Sequence, residues 1–286
     1  MGLEISRVKK DMDFNKNFRS LIEVLKNVAI AQFHILEKRL VHFDEFEKNL
    51  ESFAHYLNLK KMDHPFLKKA ETDPVRVVAI TTDQGLLGGI NMRVVSRAMN
   101  SMKSGGRDEL IMIGEKGQMY AREYQIPFTI FPGIKDEEQA AQAQTLRDYL
   151  FQDMLSGKYR GIQIVYPHAY SLVNQRVEVA TLIPFSVEEG EEKKPAENLP
   201  SEILFESKPE HILEFMVFLW IGYRLREIFS LSRLAELGAR YVHLEESSQR
   251  ILEINQKLKL RYFRLRHEVI DQGLRELFAA RSLYAS

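Results

Sequence analysis

Apolar residues recur at steps of three and four positions near both ends of the chain. This spacing places them on one face of a helix, and it is typical of a seam that buries against one partner helix. No glycine or proline interrupts residues 3–64, and residues 210–286 contain no proline. The stripes are Phe18, Leu21, Leu25, Val28, Gln32 and Ile35, then Phe43, Phe46, Leu50, Phe53 and Leu57, and later Ile251, Ile254, Leu258, Tyr262, Leu265 and Val269.

These stripes predict two terminal helices that pair antiparallel, because each terminus carries the apolar face that the other needs. With a rise of about 1.5 Å per residue, a helix from Leu3 to Leu57 would measure roughly 80 Å. A compact globule of this chain length would be only about 50 Å across, so the sequence predicts helices that protrude. Periodicity alone also fits an ordinary bundle of amphipathic helices, and this alternative stays open.

The middle of the chain alternates short β-branched runs with helical patterns, the longest helical pattern reaching from about Asp136 to Leu155. Such alternation favours a mainly parallel sheet covered by helices. Only a short loop precedes the last run, which is therefore interpreted as an antiparallel addition. The predicted strands are Arg76–Thr81, Glu109–Ile113, Phe128–Phe131, Ile162–Tyr166 and Val177–Ile183.

Four regions follow from these patterns, and the predicted fold class is α/β plus long α. They are an N-terminal coiled-coil helix (1–64), an α/β domain (72–186), a linker (187–208) and a C-terminal coiled-coil helix (209–286). The linker is the clearest boundary, because residues 188–200 combine glutamates, lysines and two prolines without apolar periodicity.

Composition narrows the class of protein. The chain has 286 residues, of which 45% are hydrophobic, enough for one large or two ordinary domains with a real core. Lys plus Arg equals Asp plus Glu at 40 each, so no global field favours nucleic acid or an anionic membrane. The absence of cysteine excludes disulfides and thiolate metal sites. No apolar run is long enough to span a bilayer and residues 1–10 lack a signal core, so we expect a soluble chain.

Two glycine-rich turns are candidates for a catalytic or phosphate site. Gly85 to Gly89 lies between a predicted strand and a helix, where backbone N–H groups can hold a phosphate. It matches neither the dinucleotide fingerprint nor the lysine-bearing phosphate loop. Gly114 to Gly117 likewise follows a predicted strand and matches neither motif. Tight strand-to-helix turns are the favoured interpretation. A nucleotide-binding α/β enzyme and a coiled-coil scaffold stay open as alternative functions.

Other catalytic chemistry has little support in the sequence. The eight histidines are scattered, with no pair at helical ligand spacing beside a carboxylate base. No Gly-x-Ser-x-Gly elbow is present, so acyl transfer is not indicated. We therefore expect no catalytic residue, no cofactor and no metal.

A basic cluster lies near the C-terminus. Nucleic-acid binding is one interpretation, but acidic residues on the same segment dilute the positive field. A solvated helix face is the second, and a collar that faces acidic loops of a surrounding protein is the third. The cluster consists of Lys257, Lys259, Arg261, Arg264 and Arg266, with Tyr262 and Phe263 between them.

Several motifs resemble those of the gamma subunits of F-type ATP synthases. The segment Ile80-Thr-Thr-Asp-Gln-Gly-Leu-Leu-Gly-Gly-Ile-Asn91 resembles the family's Thr-Ser-Asp-Arg-Gly-Leu-Cys-Gly-Gly-x-Asn, and Gly114-Glu-Lys-Gly117 resembles its Gly-Arg-Lys-Gly. The family's C-terminal motif, Tyr-Asn-x-x-Arg-Gln-x-x-Ile-Thr-x-Glu-Ile-x-Glu-Ile, and its Glu-His-x-Ala-Arg stretch are matched in part. The matching residues are Tyr262, Arg266, Ile270, Leu274, Glu276 and Leu277, and upstream Glu236, Ala239 and Arg240.

The chain also departs from the family's pattern, mostly at polar positions. Residues 24–30 replace the family's Ala-Met-Lys-Met-Val-Ala-Ala with Val-Leu-Lys-Asn-Val-Ala-Ile. The chain therefore resembles a divergent gamma subunit, from an alternative bacterial F-type ATPase or a related rotary complex. The departures are Gln84 for Arg, Leu87 for Cys, Phe263 for Asn, His267 for Gln, Asp271 for Thr and Gly273 for Glu.

The resemblance implies an antiparallel coiled coil of the terminal helices with an inserted Rossmann-like α/β domain. It implies a non-catalytic rotor in the central stalk of a proton- or sodium-translocating ATPase, peripheral on the cytoplasmic side of a bacterial inner membrane. The implied partners are the alpha and beta subunits, the epsilon subunit and the c-subunit ring, with one copy per complex and no nucleic acid.

The resemblance also implies which residues contact these partners. Residues 274–286 would form a tip held in an apolar sleeve. The expected contact residues are Leu25, Lys26, Val28, Ala29, Tyr262, Arg266, His267, Ile270, Asp271, Leu274 and Leu277.

Overall fold

Two compact units make up the chain in its computed structural model. One unit consists of Met1–Ala31 with Arg240–Ser286, and the other of Gln32–Ala239. The structure describes residues 2–40, 49–50, 57, 59, 62–68, 70, 73–102, 107–185 and 207–284, with side chains up to residue 279. Most of the predicted linker lies outside the described residues.

Helices and strands follow the order that the sequence predicts. All five predicted strands are present, and β2 and β3 have the predicted bounds. The described elements are α1 (Gly2–Arg39), β1 (Val75–Ile80), α2 (Ile90–Ser101), β2 (Glu109–Ile113), α3 (Glu115–Glu123), β3 (Phe128–Phe131), α4 (Gln139–Leu155), β4 (Gly161–Ala169), β5 (Gln175–Ile183) and α5 (Pro209–Tyr284).

The larger unit is built on one sheet with the strand order β3-β2-β1-β4-β5. The first four strands pair in parallel, and β5 pairs antiparallel with β4, which confirms the prediction for residues 177–183. Strands β1 to β3 are added towards one edge of the sheet, and β4 then returns to the other side of β1. The strand order therefore reverses between β1 and β4. In open α/β sheets, ligands bind at such a switch point, beyond the carboxyl ends of the strands.

Helices cover both faces of this sheet. Alternate residues of β1 point to opposite faces, so that Val78 and Ile80 lie in one core while Val77 and Ala79 lie in the other. The first core contains residues of α4 and of α5, such as Leu150. The second core is closed by α2 and α3. Both layers are therefore needed to bury a sheet whose central strands are apolar on each face.

The N-terminal helix is shorter than the sequence analysis expects. α1 ends at Arg39 and Leu40 is no longer helical, so the uninterrupted helix from Leu3 to Leu57 is wrong. Leu57 instead belongs to the core of the larger unit. Lys38 and Arg39 in the last turn are the sequence signal for this end, because cations favour the C-terminus of a helix. The seam residues predicted at Phe43, Phe46 and Phe53 lie outside the described residues.

In the smaller unit, α1 and α5 run antiparallel, as predicted. Residues that come earlier in α1 meet residues that come later in α5, as the cross-helix contacts show. These are Lys26 with Glu245, Arg19 with Ser248, Met12 with Asn255, and Glu4 with Arg261.

The face of α1 that forms this seam differs from the predicted one. Phe18, Leu21, Leu25 and Val28 are exposed, whereas Ile22 is 4% exposed and packs with Leu244 and Ile251 of α5. The inward stripe also carries polar residues, so its apolar period is weak in the sequence. The prediction selected the more uniformly apolar stripe, which faces outward. On α5, Ile254 and Val269 are likewise exposed, although both were placed in the seam.

Candidate functional site

The two glycine-rich turns come together at the carboxyl ends of the neighbouring strands β1 and β2. Thr81 follows β1, and its Oγ1 donates a hydrogen bond to the carbonyl of Ile113 at 2.6 Å. The same oxygen accepts a hydrogen bond from the backbone N–H of Gly117 at 3.1 Å. Thr81 therefore joins the end of β2 to the first turn of α3.

Asp83 and Thr82 satisfy further backbone groups at the start of α3. Asp83 Oδ1 accepts a hydrogen bond from the N–H of Glu115 at 2.9 Å, and the carbonyl of Thr82 accepts one from Lys116 at 2.9 Å. The first N–H groups of α3 are therefore already bonded within the chain. They are not free to hold a phosphate, which argues against the nucleotide-binding alternative at this turn.

Asn91 joins the two ends of the turn at Gly85–Gly89 by hydrogen bonds to Thr82. Its Nδ2 donates to Oγ1 of Thr82 at 2.9 Å, and its Oδ1 accepts from the N–H of Thr82 at 3.3 Å. Thr82 Oγ1 in turn donates to the carbonyl of Gln84 at 2.8 Å. The side chains that make the two motifs recognisable in the sequence thus hold the turns together.

A small cavity lies beside this junction, at the switch point of the sheet. Its volume is about 170 Å³, and Thr82, Asp83, Arg233 and Glu236 are among the residues that line it. Arg233 Nε lies 2.8 Å from Asp136 Oδ1, and its Nη1 lies 2.6 Å from Glu236 Oε2. The cavity is smaller than the roughly 300–1,000 Å³ typical of ligand pockets, and its arginine is already paired with carboxylates.

The described residues contain no cluster of His, Cys, Asp and Glu that could hold a metal ion. Within the same part of the chain, no helix is long and apolar enough to cross a membrane. Exposed apolar side chains gather on the helices of the smaller unit.

An outward apolar stripe runs along α1 on the helix pair. It contains Phe14, Phe18, Leu21, Leu25 and Val28, all of them exposed. The rings of Phe14 and Phe18 stack with their centroids 5.9 Å apart. A row of large exposed apolar side chains along one helix face is typical of an interaction surface.

The C-terminal part of α5 also exposes apolar side chains. Between Arg266 and Ala279, every residue except Gly273 is exposed. Its large apolar side chains are Val269, Ile270, Leu274, Leu277 and Phe278. An isolated helix with this composition buries nothing by itself, so its stability depends on a partner or on continuity with the paired part of the helix.

Lys26 lies inside the helix pair. Its Nζ is 2.6 Å from Glu23 Oε2 and 2.7 Å from Glu245 Oε2. The hydrogen bond with Glu23 raises the pKa of Lys26, and the hydrogen bond from Lys26 lowers the pKa of Glu23 and of Glu245. Lys26 therefore joins the two helices as a permanent cation.

Comparison with known proteins places this architecture in a family. The sequence profile described as ATP synthase matches residues 4–282. The ATP synthase gamma chain of Nostoc sp. (strain PCC 7120) is 28% identical over 293 residues, which cover 92% of this chain and 93% of the relative. The ATP synthase gamma chain of Trichormus variabilis is 27% identical over the same shares. The chain belongs to the ATP synthase gamma family.

Solved structures agree with this assignment at the level of the fold. A chain of the Euglena gracilis mitochondrial ATP synthase rotor superposes with a TM-score of 0.65 at 17% identity, covering 94% of this chain and 100% of that chain. A chain of the Tetrahymena thermophila mitochondrial central stalk and c-ring gives a TM-score of 0.59 at 17% identity, covering 80% and 99%.

The eleven expected contact residues fall into three groups on the helix pair, namely inward, half-buried and exposed. Lys26 and Ala29 face inward, and Ala29 is only 1% exposed, so the pair itself covers its side chain. Tyr262 is half-buried. The remaining residues are exposed, namely Leu25, Val28, Arg266, His267, Ile270, Asp271, Leu274 and Leu277. Contact of these residues with family partners stays a prediction.

The structure adds information on two sets of side chains, namely Phe14 on α1 and the basic cluster on α5. Phe14 extends the outward stripe by one turn and was not among the expected contacts, although its spacing of four from Phe18 is the signal that identifies it. In the basic cluster, Arg261 Nη2 lies 2.6 Å from Glu4 Oε1, so one of the five cations belongs to the helix pair. All five cluster residues are exposed.

Proposed function

We propose that the chain is the central-stalk rotor of an F-type rotary ATPase, a non-catalytic subunit that couples rotation to ATP synthesis or hydrolysis. One observation carries the proposal: in a chain of the gamma family, the helix pair continues into a length of α5 with exposed apolar side chains. Such a helix fits a tip that turns inside an apolar sleeve formed by other subunits.

The proposed partners are the alpha and beta subunits of the catalytic ring, the epsilon subunit and the c-subunit ring. One copy of the chain would serve each complex. The family assignment supports this set of partners, since solved structures with the same fold include a mitochondrial ATP synthase rotor and a central stalk with its c-ring. A place on the cytoplasmic side of a bacterial inner membrane is proposed because the relatives are cyanobacterial.

The helix pair is suited to this role because its faces differ. The outward face of α1 is apolar around Phe18 and Leu25, whereas α5 carries the basic cluster from Lys257 to Arg266. As the rotor turns, each beta subunit would contact the different faces of the helix pair one after another. ATP binding at the three beta sites would then change in turn, without any chemical group of the rotor taking part in hydrolysis.

Contacts between the rotor and the ring must also slide. A tight charge pair would hold one angle and slow rotation. His267 and Asp271 stand where the family has Gln and Thr, and both side chains are exposed on α5. We propose that these substitutions set the friction between this rotor and its ring. On this proposal, other subunits determine whether the coupling ion is a proton or sodium.

The test combines the purified chain with its alpha and beta subunits. We expect no ATP hydrolysis by the chain alone, and ATP-driven rotation once the ring is assembled around it. A chain truncated after Gly273 serves as the matched control, because it keeps the paired helices and lacks the exposed tip of residues 274–286. Robust ATP hydrolysis by the chain alone, or nucleotide binding to it in calorimetry, would favour the enzyme alternative and contradict the rotor.

A further inference from the structure

A connected set of polar side chains lies within the seam of the helix pair. Ser248 is only 1% exposed, and its Oγ accepts a hydrogen bond from Arg19 Nε at 3.1 Å. The same hydroxyl donates to Glu23 Oε1 at 2.8 Å. Glu23 then binds Lys26, which also binds Glu245 of the opposite helix, at 2.6 and 2.7 Å.

Apolar side chains surround this polar set in the seam. Ile22, Leu244 and Ile251 form the buried cluster next to it. Removing charged groups from water costs free energy, and the cost is offset only where each charge meets its partner in good geometry. Apolar layers are less selective, because one leucine or isoleucine replaces another at similar cost. The polar set therefore distinguishes between alignments of the two helices.

The effect of the polar set on helix alignment can be illustrated by a hypothetical slide of α5 along α1 by one heptad. The residue in the place of Glu245 would become Leu252 or Gly238, depending on the direction. Neither residue accepts a hydrogen bond from the ammonium group of Lys26 with its side chain. In both directions Lys26 would lose its partner on α5 and keep only Glu23 of its own helix, so the ion pair that joins the two helices would be lost.

We propose that Arg19, Glu23, Lys26, Glu245 and Ser248 form a polar lock that fixes the axial register of the two rotor helices. The inference rests on the rotor function proposed above and adds a role for named residues. A rotor transmits torque only when its two helices turn as one body. The polar lock prevents them from sliding past each other under load, as a buried polar residue fixes register in other coiled coils.

The register can be read directly, because the chain contains no cysteine. Glu4 and Arg261 face each other across the pair, with Oε1 and Nη2 2.6 Å apart. Cysteines at these two positions, joined by a short bifunctional maleimide, report the register of the structure. Glu4→Cys combined with Ile254→Cys or Glu268→Cys reports a slide of one heptad in either direction.

The decisive variant is Lys26→Met with Ser248→Ala in the full chain. We expect the wild-type lock to give the Glu4 and Arg261 crosslink alone, and the variant to add at least one of the two shifted crosslinks. Lys9→Met is the matched control, because Lys9 is an exposed lysine of the same helix outside the lock. It should give the wild-type pattern.

A variant that crosslinks only in the native register, like wild type, overturns the polar lock. Circular dichroism at the crosslinking temperature shows whether the helices are intact. If the double variant loses helix content, the single variant Glu245→Leu, which removes the acceptor for Lys26 on α5, decides with the same expected and contrary outcomes. Because this readout needs no partner subunit, it is separate from the test of the rotor function, which fails if the unmodified chain supports no rotation in its ring.

Discussion

The backbone N–H of Gly117 donates a hydrogen bond to Oγ1 of Thr81 over 3.1 Å. Thr81 directly follows β1 and leads into the turn at Gly85–Gly89, whereas Gly117 belongs to the motif after the neighbouring strand β2. Their contact makes the two turns one structural feature, so Thr81 and the second motif have a role in folding that needs no bound phosphate. Gly114 of this junction is accordingly a sensitive position for the stability of the larger unit.

Gly114→Ala should destabilise the larger unit. Gly114 has a φ of 90°, and a Cβ at this position would lie 2.5 Å from the backbone carbonyl oxygen of Thr81. Because neither the strained φ nor the backbone atom can relax cheaply, we expect a loss of about 2–4 kcal/mol. Urea unfolding followed by circular dichroism measures it.

Gly85→Ala is the matched control for this prediction. Gly85 lies in the other motif, and a Cβ there would meet no atom within 4 Å. The substitution should change the free energy of unfolding by less than about 0.5 kcal/mol. Equal losses for the two variants would show that the steric contact with Thr81 is not the reason for glycine at position 114.

Ile22→Asp and Leu25→Asp should separate the two faces of α1. Ile22 is buried against Leu244 and Ile251, so an aspartate there places an unpaired charge in the seam and should cost about 3 kcal/mol or more. Leu25 is 40% exposed, so its substitution should cost less than about 1 kcal/mol in the isolated chain. Thermal melting of the helix signal compares them.

The same two variants test the outward stripe as a contact surface. Leu25→Asp should weaken assembly with the alpha and beta ring although the chain itself stays folded. A Leu25→Asp chain that melts as early as the Ile22→Asp chain would mean that the faces are assigned the wrong way round.

Much of the fold could be predicted because strands and helices leave strong local signals. The run at residues 109–113 is apolar after Glu109 and contains two isoleucines, and Gly114 ends it, so the sequence predicts its bounds to the residue. β5 was identified as antiparallel because no crossover of sufficient length precedes it. These features depend on residues close together in the sequence.

The face of the helix pair could not be predicted in the same way. The inward stripe contains Arg19 and Lys26, whose charges suggest exposure until Ser248 and Glu245 of the other helix are known to meet them. Apolar periodicity instead favours the outward stripe, whose side chains are exposed in the structure and are predicted to contact a partner. An apolar stripe on a helix can thus be either a buried seam or an exposed contact surface, and only the position of α5 distinguishes the two.

The stability of the helix pair should depend on pH through the polar lock. Hydrogen bonds from Lys26 lower the pKa of Glu23 and Glu245 below their ordinary value of 4.5. A carboxylate with a lowered pKa in the folded state contributes stability above its unfolded value, and this contribution is lost as the pH falls through the folded pKa. The helix pair should therefore lose stability as the pH falls below about 4.5.

Lys26→Met isolates this effect from other titrating groups. The variant lacks the cation that lowers both pKa values, so the difference in melting temperature between wild type and variant should shrink as the pH falls from 6 to 3, roughly the range in which carboxylates titrate. Melting curves at several pH values measure it. Curves that stay parallel throughout this range would show that Lys26 does not stabilise the ionised carboxylates.

Arg76→Met should destabilise the sheet. Arg76 is 1% exposed in β1, where it forms ion pairs with Asp153 and, at 2.8 Å, with Glu109. Removing the cation leaves Asp153 largely buried without its partner, and we expect a loss of about 3–5 kcal/mol in chemical unfolding. Adding Asp153→Leu to the same chain should restore part of it.

Lys158→Met is the control for the Arg76 prediction. Lys158 also binds Glu109, at 3.1 Å, but its side chain is 53% exposed. An exposed ion pair of this kind contributes at most about 1 kcal/mol, so the variant should unfold close to wild type. If Arg76→Met unfolds no earlier than Lys158→Met, burial does not set the strength of this ion pair.

Removal of residues 274–286 should impair coupling more than folding. The described side chains of this segment are exposed, among them Leu274, Leu277 and Phe278, so their loss opens no core in either unit. The truncated chain should keep its melting temperature within a few degrees, because a change below about 0.5 kcal/mol shifts melting only slightly. In the assembled complex, however, the tip would no longer fill its sleeve, and ion transport per ATP hydrolysed should fall. Unfolding of the α/β sheet in the truncated chain would contradict this division of roles, since it would mean that the tip stabilises a core it does not contact.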